Sequence, residues 1–285
     1  MIMGVDVSKW QREMDWYHCR EAGARFAYVR AGSITDASGT CYTDDQFHRN
    51  AEIAPEYMPV GFYWFLRPYH DVLKQAEYFC NLIKPKRWLL PPVADIEAFG
   101  NLSSEAATIE IVKFIREDFR HLGIWPMIYT RAALWNSSTL ADNLYSSLEL
   151  WIARYTPKPS PWGNPGDKDY LKPRDWDRWR LWQFSADGNG RGGEFGAKSD
   201  SIDLNYFNGD ENDFLLWTGQ QPGELIKVNK PAAAIYSGPT PASGAGGAIM
   251  GTTWRGRSWQ VLGKDGTGAW LRVEGWLKAK DCKGI

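Results

Sequence analysis

Two carboxylates two positions apart, Asp95 and Glu97, have the types and spacing needed for chemistry. They follow two prolines and belong to a short apolar, partly β-branched run, which is typical of a buried strand. On a strand, residues two apart point to the same face, with Cα atoms about 6–7 Å apart. Carboxylates held together in a buried place repel each other and lose hydration, so one of them keeps its proton. A proton donor beside a fixed anion is what cleavage of a glycosidic bond requires.

The same pair also has a purely structural interpretation. For an Asp-x-Glu alone, the commoner situation is a strand end whose carboxylates bind backbone amides or a nearby arginine. The choice therefore depends on what the rest of the chain supplies around this strand.

Composition is that of an ordinary globular protein, apart from a high content of aromatic residues. The 285 residues carry a net charge of −1, which gives no support to nucleic-acid binding or to a basic membrane surface. No apolar run approaches a membrane span, and the first residues lack the features of a secretory signal. The 16 Trp, 13 Tyr and 12 Phe suit cores, and they also suit a sugar-binding cleft, where flat rings stack on pyranoses.

Cysteine and histidine do not form a metal-binding pattern. The chain has four histidines, and its four cysteines are scattered, with no Cys-x-x-Cys. We expect neither a metal nor another cofactor, and the cysteine spacing does not assign disulfides. Free, largely buried thiols are the expectation for a protein made in a cytosol.

Strands alternate with helices through the first half of the chain. Strand-like segments are 2–7, 25–30, 58–65, 93–97, 125–129, 148–153, 181–184 and 201–204. Helical spacing occurs at 14–22, 44–53, 72–83 and 104–122. The alternation implies parallel strands, and the late strands without helices between them indicate an irregular TIM-like (β/α) barrel. In such barrels the reactive groups lie at the carboxyl ends of strands.

Two local expectations concern single elements. The helix at 104–122 is predicted to begin after Ser103 and to end before Gly123, which are typical cap residues. Its apolar face is expected to contain Ile109, Val112, Ile115, Phe119 and Leu122. Residues 31–33 (AGS) are expected to form a turn after the second strand.

A composition break at 219–223 (GQQPG) indicates a domain boundary. We predict a barrel domain at 1–218, a linker at 219–224 and a second domain at 225–285. The second domain lacks helical periodicity and has short β-like pieces separated by Gly, Pro and Ser. That pattern predicts a small all-β barrel.

Four separated stretches resemble one family in order and spacing. Residues 3–11 (MGVDVSKWQ), 60–65 (VGFYWF), 93–97 (VADIE) and the pair 182–184 (WQF) with 202–205 (IDLN) resemble strands of glycoside hydrolase family 25, the Chalaropsis-type lysozymes. The resemblance implies an irregular α/β barrel that hydrolyses the β-1,4 bond between N-acetylmuramic acid and N-acetylglucosamine in peptidoglycan. Trp64 and the Trp-rich insertion at 154–179 depart from the family's pattern and bear on subsite details.

The resemblance also implies roles for four carboxylates. Glu97 is the general acid and Asp95 its partner, while Asp6 and Asp203 complete an acidic floor that stabilises oxocarbenium-like charge. For Asp6 the structural alternative is a capping carboxylate at a strand-to-helix turn. For Asp203 it is a local hydrogen bond with Asn205.

Five further residues are expected to line the sugar cleft, although aromatic side chains at strand ends are as often part of the core. They are Tyr63, Tyr129, Trp151, Tyr155 and Gln183.

Residues 225–285 resemble a bacterial SH3-like domain, in particular at 249–252 (IMGT), 259–261 (WQV) and 275–278 (GWLK). Beside a lysozyme domain, this resemblance implies binding to the cell wall, and the alternative is a packing module without a ligand. A lytic domain plus a wall-binding module resembles a phage endolysin, and a bacterial autolysin fits almost as well. The expected partner is bacterial peptidoglycan, with no nucleic acid and no membrane. We expect a monomer made in the host cytoplasm that acts on the wall after lysis or secretion.

Two other functions compete with a muramidase. One is a catalytically silent peptidoglycan-binding protein that keeps the barrel as a lectin, and the presence of all four carboxylates disfavours it. The other is a different barrel glycosidase such as a chitinase, which usually shows a longer Asp-rich strand motif than residues 94–97 (ADIE).

Overall fold

The computed structural model describes residues 2–138, 143–155 and 173–219, together with eight short strand segments between residues 225 and 284. By their contacts, the residues fall into two compact units, Met1–Asp210 and Glu211–Ile285. Most of the predicted linker at 219–224 and of the Trp-rich insertion at 154–179 lies outside the described residues. The domain boundaries therefore stay a prediction.

The first unit is built around a closed ring of eight strands. Its strands are β1 (Ile2–Val7), β2 (Ala27–Ile34), β3 (Cys41–Thr43), β4 (Val60–Phe65), β5 (Val93–Asp95), β6 (Met127–Arg131), β7 (Leu150–Ala153), β8 (Leu181–Ser185) and β9 (Asp203–Phe207). The order around the ring is β1-β9-β8-β7-β6-β5-β4-β2, and β1 pairs with β2 to close it. β3 pairs with β2 outside the ring. The predicted α/β barrel is confirmed.

One strand of the ring runs against the others. β9 is antiparallel to both of its neighbours, β8 and β1, whereas the remaining neighbours in the ring are parallel. Because β9 is reversed, its first residue lies at the same end of the barrel as the last residues of the parallel strands.

Helices connect the parallel strands of the barrel. They are α1 (Trp16–Glu21), α2 (Phe47–Ile53), α3 (Val72–Ile83), α4 (Ser104–Leu122), α5 (Ala132–Ser137) and α6 (Asn143–Ser147), and α7 (Glu211–Trp217) follows β9. The predicted caps of α4 are confirmed, since Ser103 accepts a hydrogen bond from the Ala106 amide and Gly123 adopts a left-handed conformation with φ +70°. None of the helices in the described ranges is both long and apolar enough to span a lipid bilayer.

The predicted apolar face of α4 is partly wrong. Ile109 and Phe119 are 49% and 37% exposed, while Ala107, Ile111, Phe114 and Ile115 are buried. The buried face also contains Asp118, which accepts a hydrogen bond from the Cys80 thiol of α3 at 3.2 Å. Because an acidic residue lies at the C-terminal end of the true buried face, the hydrophobic periodicity points to a neighbouring stripe instead.

The predicted turn at 31–33 is also wrong, because these residues lie within β2. Gly32 is needed there for close approach, since a Cβ would lie only 2.0 Å from the Tyr42 carbonyl oxygen on β3. The pairing of β2 with β4 also shifts register between Arg30 and Gly32. A glycine inside a strand at a register shift looks like a turn residue in the sequence.

Trp64 does not reach the sugar cleft. Its side chain is fully buried, and its indole N–H donates to the Gln75 side-chain oxygen of α3 at 3.1 Å. The residue that departs from the family's pattern at this position therefore packs between the barrel and α3.

The second unit contains antiparallel strands after α7. They are β10 (Leu225–Val228), β11 (Ala232–Tyr236), β12 (Ile249–Trp254), β13 (Ser258–Gln260), β14 (Gly263–Lys264), β15 (Trp270–Arg272), β16 (Trp276–Lys278) and β17 (Cys282–Gly284). They form a three-stranded sheet in the order β13-β10-β17 and a five-stranded sheet in the order β12-β11-β16-β15-β14. The assignment of this unit to the SH3-like fold stays a prediction.

Asp118 gives the barrel a pH-dependent stability. Its side chain is fully buried, and burial raises its pKa well above the ordinary 3.8. A carboxyl whose pKa is higher in the folded state stabilises the fold at low pH, and this contribution is lost as the pH rises above 3.8. We expect the melting temperature of Asp118→Asn, relative to wild type, to increase from pH 4 to pH 8 by about 2–4 °C, or about 1 kcal/mol.

Asp36→Asn is the matched control for this prediction. Asp36 lies on the surface, and hydrogen bonding from Tyr69, helped by the charges of Arg67 and His70, lowers its pKa. Its contribution is therefore present above the ordinary pKa and lost as the pH falls, so the difference between Asp36→Asn and wild type has the opposite pH dependence. A pH-independent difference for Asp118→Asn would contradict the assignment of a buried, proton-retaining carboxyl.

Candidate active site

Asp95 and Glu97 lie on either side of the point where strand β5 ends. β5 ends at Asp95, so the expectation that both residues sit on one strand is wrong for Glu97. The chain remains hydrogen-bonded just beyond the strand, because the Ile96 amide donates to the Tyr129 carbonyl at 2.8 Å and the Thr130 hydroxyl donates to the Ile96 carbonyl at 3.0 Å. Glu97 is thereby held at the carboxyl end of the barrel.

A cavity of about 180 Å³ opens at this end of the barrel. It brings together all four predicted carboxylates and all five predicted cleft residues. Its lining residues are Asp6, Ser8, Trp10, Arg30, Tyr63, Phe65, Asp95, Glu97, Tyr129, Trp151, Tyr155, Gln183 and Asp203. Residues from β1, β2 and β4 to β9 thus meet at one place, as the barrel topology requires.

The aromatic residues of the cavity differ in accessibility. Trp151 and Tyr129 are 2% and 5% exposed and form its floor, whereas Tyr155 is 51% exposed and reachable by a ligand. Tyr129 packs edge-on against Trp151, with ring centres 4.8 Å apart. The alternative that such residues belong to the core therefore holds in part for these two.

Four lining residues were not predicted as site residues, namely Ser8, Trp10, Arg30 and Phe65. Trp10 and Ser8 lie in the motif at 3–11, and the 68% exposure of Trp10 is unusual for so large an apolar side chain. Arg30 is the one cationic residue among these lining residues. Its guanidinium lies 5.1 Å from the centre of the Phe65 ring.

Asp6 is held by two side-chain amides. Gln183 and Asn205 each donate from their amide nitrogens to Asp6 Oδ2 at 2.8 Å. The cap of the following turn is Ser8, whose side chain accepts from the Trp10 amide. The two structural alternatives are therefore wrong: Asp6 is not the capping residue, and Asn205 donates to Asp6 rather than to Asp203.

Asp203 lies directly opposite Asp6. The two residues are paired in the antiparallel register of β1 and β9, where side chains on one face are about 4.5–5.5 Å apart. Their carboxyl groups are close enough to share a hydrogen bond. A hydrogen bond between two carboxyl groups requires a proton on one of them.

Burial dominates the electrostatics of the cavity. It raises the pKa of Asp95 well above its ordinary range, and the neighbouring charge of Glu97 raises it further. Burial also raises the pKa of Asp6 to about 6, against the opposing effect of the Asn205 and Gln183 hydrogen bonds. The pKa of Asp203 is raised well above its ordinary range by burial and by the charge of Asp6. These carboxyl groups thus hold their protons to a higher pH than free carboxyl groups do, as acid catalysis requires.

Asp95 Oδ1 is buried without a hydrogen-bond partner among the described residues. An unpaired buried acceptor is costly unless a ligand supplies a donor. Within the same ranges, no cluster of three or more His, Cys, Asp and Glu side chains is arranged to hold a metal ion. The cavity can therefore present a proton donor, an anion and an unpaired hydrogen-bond acceptor to a polar ligand.

Comparisons with known proteins agree with this geometry. The sequence profile of Glycosyl hydrolases family 25 matches residues 5–193. Lysozyme M1 of Streptomyces globisporus is 30% identical over 222 residues, which cover 73% of this chain and 68% of that protein. The N,O-diacetylmuramidase of Chalaropsis sp is 26% identical over 218 residues, which cover 71% of this chain and 96% of that protein.

A solved structure gives the same result. The crystal structure of the bacterial lysozyme from Streptomyces coelicolor matches with a TM-score of 0.62 and 28% identity. The match covers 76% of this chain and 96% of that one. The family profile alone spans well over half of the chain and covers most of the barrel, with three of the four cavity carboxylates. The chain belongs to glycosyl hydrolase family 25.

Proposed function

We propose that this glycosyl hydrolase is an N-acetylmuramidase that cleaves the β-1,4 bond between N-acetylmuramic acid and N-acetylglucosamine in peptidoglycan. The observation that carries the proposal is the meeting of Asp6, Asp95, Glu97 and Asp203 in one aromatic-lined cavity at the carboxyl end of the barrel. The relatives named as lysozyme and N,O-diacetylmuramidase support the choice of substrate. A silent binding protein would not need to retain four carboxyl groups together in one cavity, two of them, Asp6 and Asp95, buried.

Glu97 is the proton donor in this proposal. It is more exposed than Asp95, so it can reach the glycosidic oxygen while Asp95 stays buried. Burial and the charge of Glu97 raise the pKa of Asp95, so the Asp95 carboxyl holds a proton to a higher pH than a free carboxyl does. Transfer of the proton to the leaving oxygen accompanies rupture of the bond between that oxygen and the anomeric carbon.

The substrate's own acetamido group replaces the leaving oxygen at the anomeric carbon. Its carbonyl oxygen attacks to form an oxazolinium ion, and the unpaired Oδ1 of Asp95 accepts the acetamido N–H and stabilises the positive charge. Water then attacks the anomeric carbon, with Glu97 taking its proton, and the acetamido group is restored. Two displacements at one carbon retain its configuration.

The C-terminal residues 225–285 are proposed to bind cell wall. Their short antiparallel strands and their motifs at 249–252, 259–261 and 275–278 support an SH3-like module. A lytic barrel followed by a wall-binding module fits a phage endolysin, and a bacterial autolysin fits almost as well. In either case the enzyme acts on the wall after lysis or secretion.

Glu97→Gln tests the function and the proton donor together. Gln keeps the shape of the side chain but supplies no proton, so we expect turnover of purified peptidoglycan to fall by about 10²–10⁴-fold. Mass analysis of fragments released by the wild type should show muramic acid at the new reducing ends. N-acetylglucosamine at those ends would remove the muramidase proposal.

Glu194→Gln is the matched control for this substitution. Glu194 is on the surface and is paired with Arg191, outside the residues that line the cavity, so this variant should keep wild-type turnover. Activity of Glu97→Gln within a few-fold of wild type would place the acid elsewhere.

Removal of residues 225–285 tests the wall-binding role. Tethering raises the concentration of the catalytic domain at its substrate. We therefore expect lysis of whole cells to fall far more than cleavage of soluble peptidoglycan fragments. Thermal melting of the shortened chain establishes first that the barrel is folded. Equal losses on both substrates would show that these residues mainly stabilise the barrel.

The anomer formed first tests the route of bond cleavage. Retention predicts that proton NMR detects the β anomer of the new reducing end before mutarotation. An α anomer at the start means inversion and excludes the substrate-assisted route. If the β anomer appears first, a substrate without the acetamido carbonyl separates the assisted route from attack by a protein nucleophile such as Asp6 or Asp203. The assisted route cannot cleave that substrate, whereas a protein nucleophile can.

A further inference from the structure

A chain of buried hydrogen bonds fixes the orientation of Asn205. The indole N–H of Trp151 donates to Asn205 Oδ1 at 2.8 Å. An indole nitrogen can only donate, so the amide oxygen of Asn205 must face Trp151, and a flipped amide would place two donors against each other. The amide nitrogen of Asn205 must therefore face Asp6 Oδ2, 2.8 Å away.

Gln183 is oriented in the same way from the other side. Its Oε1 accepts from the hydroxyls of Tyr129 at 2.7 Å and Tyr155 at 3.0 Å. Its amide nitrogen donates to Asp6 Oδ2 at 2.8 Å. Asp6 Oδ2 thus accepts two amide N–H groups, which leaves no place for a proton on that oxygen.

The hydrogen bond between Asp6 and Asp203 contains one proton. Two amide donors stabilise the negative charge on Asp6, while Asp203 has no comparable pair of donors among the described hydrogen bonds. We propose that Asp203 carries this proton and donates it to Asp6, and that Asn205, held by Trp151, is a positioning residue that keeps Asp6 as the anion of the pair.

The electrostatics agree with the geometry. The Asn205 and Gln183 hydrogen bonds lower the pKa of Asp6 against the effect of burial, whereas the charge and hydrogen bond of Asp6 raise the pKa of Asp203 further. The other ionisable groups that face the pair or its cavity are Glu97, Asp95, Arg30, Tyr63, Tyr129, Tyr155 and Asp187. Of these, Glu97 and Asp187 act on Asp203 in the same direction as Asp6 does.

The catalytic role of this proton arrangement rests on the proposed function. A pair with one proton carries a single negative charge, on Asp6, that can stabilise the cationic sugar of the transition state. Two adjacent anions would instead repel each other and suffer desolvation together. The order of protonation itself is a property of the folded protein and can be measured without substrate.

The experiment is a titration of the full-length chain labelled with ¹³C at the aspartate carboxyl carbons. NMR spectra from about pH 3 to about pH 9 follow each carboxyl, and Asp6→Asn and Asp203→Asn assign the two signals. We expect Asp6 to ionise at a lower pH than Asp203. In Asn205→Leu, which keeps the bulk but removes the donor, the Asp6 titration should move up by about one pH unit.

Two further variants separate orientation from mere packing. Trp151→Phe leaves Asn205 in place but frees its amide to turn, so the Asp6 titration should move in the same direction by a smaller amount. Asn208→Leu is the matched control, because Asn208 donates to the Trp179 carbonyl at 2.9 Å and does not line the cavity. Its titrations should equal those of wild type.

Gln183→Met removes the other donor to Asp6 and gives an independent measurement if Asn205→Leu does not fold. The acid limb of the kcat/KM profile on peptidoglycan should move to higher pH with the Asp6 titration in each variant. Ionisation of Asp203 below Asp6, or unchanged Asp6 titrations in the donor variants, overturns the inference. An inactive enzyme with the expected titration order refutes the proposed function and leaves the inference standing.

Discussion

The desolvation of three carboxyl groups in one cavity is the constraint on which the rest of this site depends. Asp6, Asp95 and Asp203 all have a raised pKa, with burial as the first cause. Hydrogen-bond donors on neighbouring strands offset the free-energy cost of desolvation, and here two side-chain amides donate to Asp6. Arg30 adds one positive charge, which lowers the pKa of Asp95 against the effect of burial. The fold thus keeps the cluster partly protonated and partly anionic, which is the state that acid catalysis of glycoside cleavage uses.

Much of the barrel can be predicted from local pattern, and the exceptions have physical causes. The strands are short apolar runs, and the caps of α4 follow from Ser103 and Gly123 because capping is a local interaction. The turn expected at Gly32 fails because the glycine serves the close approach of β3, which is a tertiary requirement. The face of α4 is misassigned because Asp118 is buried, and periodicity counts an acidic residue as exposed.

In the site too, residues in local sequence motifs could be predicted, whereas contacts between residues distant in the sequence could not. Its nine predicted residues could be found because motifs at strand ends converge in a barrel. Asn205 could not be assigned its role, since the bond to Asp6 joins residues 199 positions apart and the sequence offers a nearer partner in Asp203. Arg30 and Phe65 lie on predicted strands, where an arginine is expected at the surface and a phenylalanine in the core. No local pattern therefore identifies them as site residues. Trp10 could have been predicted as a site residue. It belongs to the motif at 3–11, and no apolar residue stands two positions before or after it, so it does not fit a buried strand face.

The reversed strand β9 is what makes these distant contacts compatible with one another. Its register with β1 sets Asp203 opposite Asp6, and its register with β8 sets Asn205 opposite Gln183. Residues two apart on a strand share a face, so Asp203 and Asn205 reach the barrel interior together. A slip of one residue would turn both side chains outward and bring apolar neighbours inward. The register with β8 shifts only between Gln183 and Ser185, beyond the pair of Gln183 and Asn205, so both amides that donate to Asp6 come from directly paired residues.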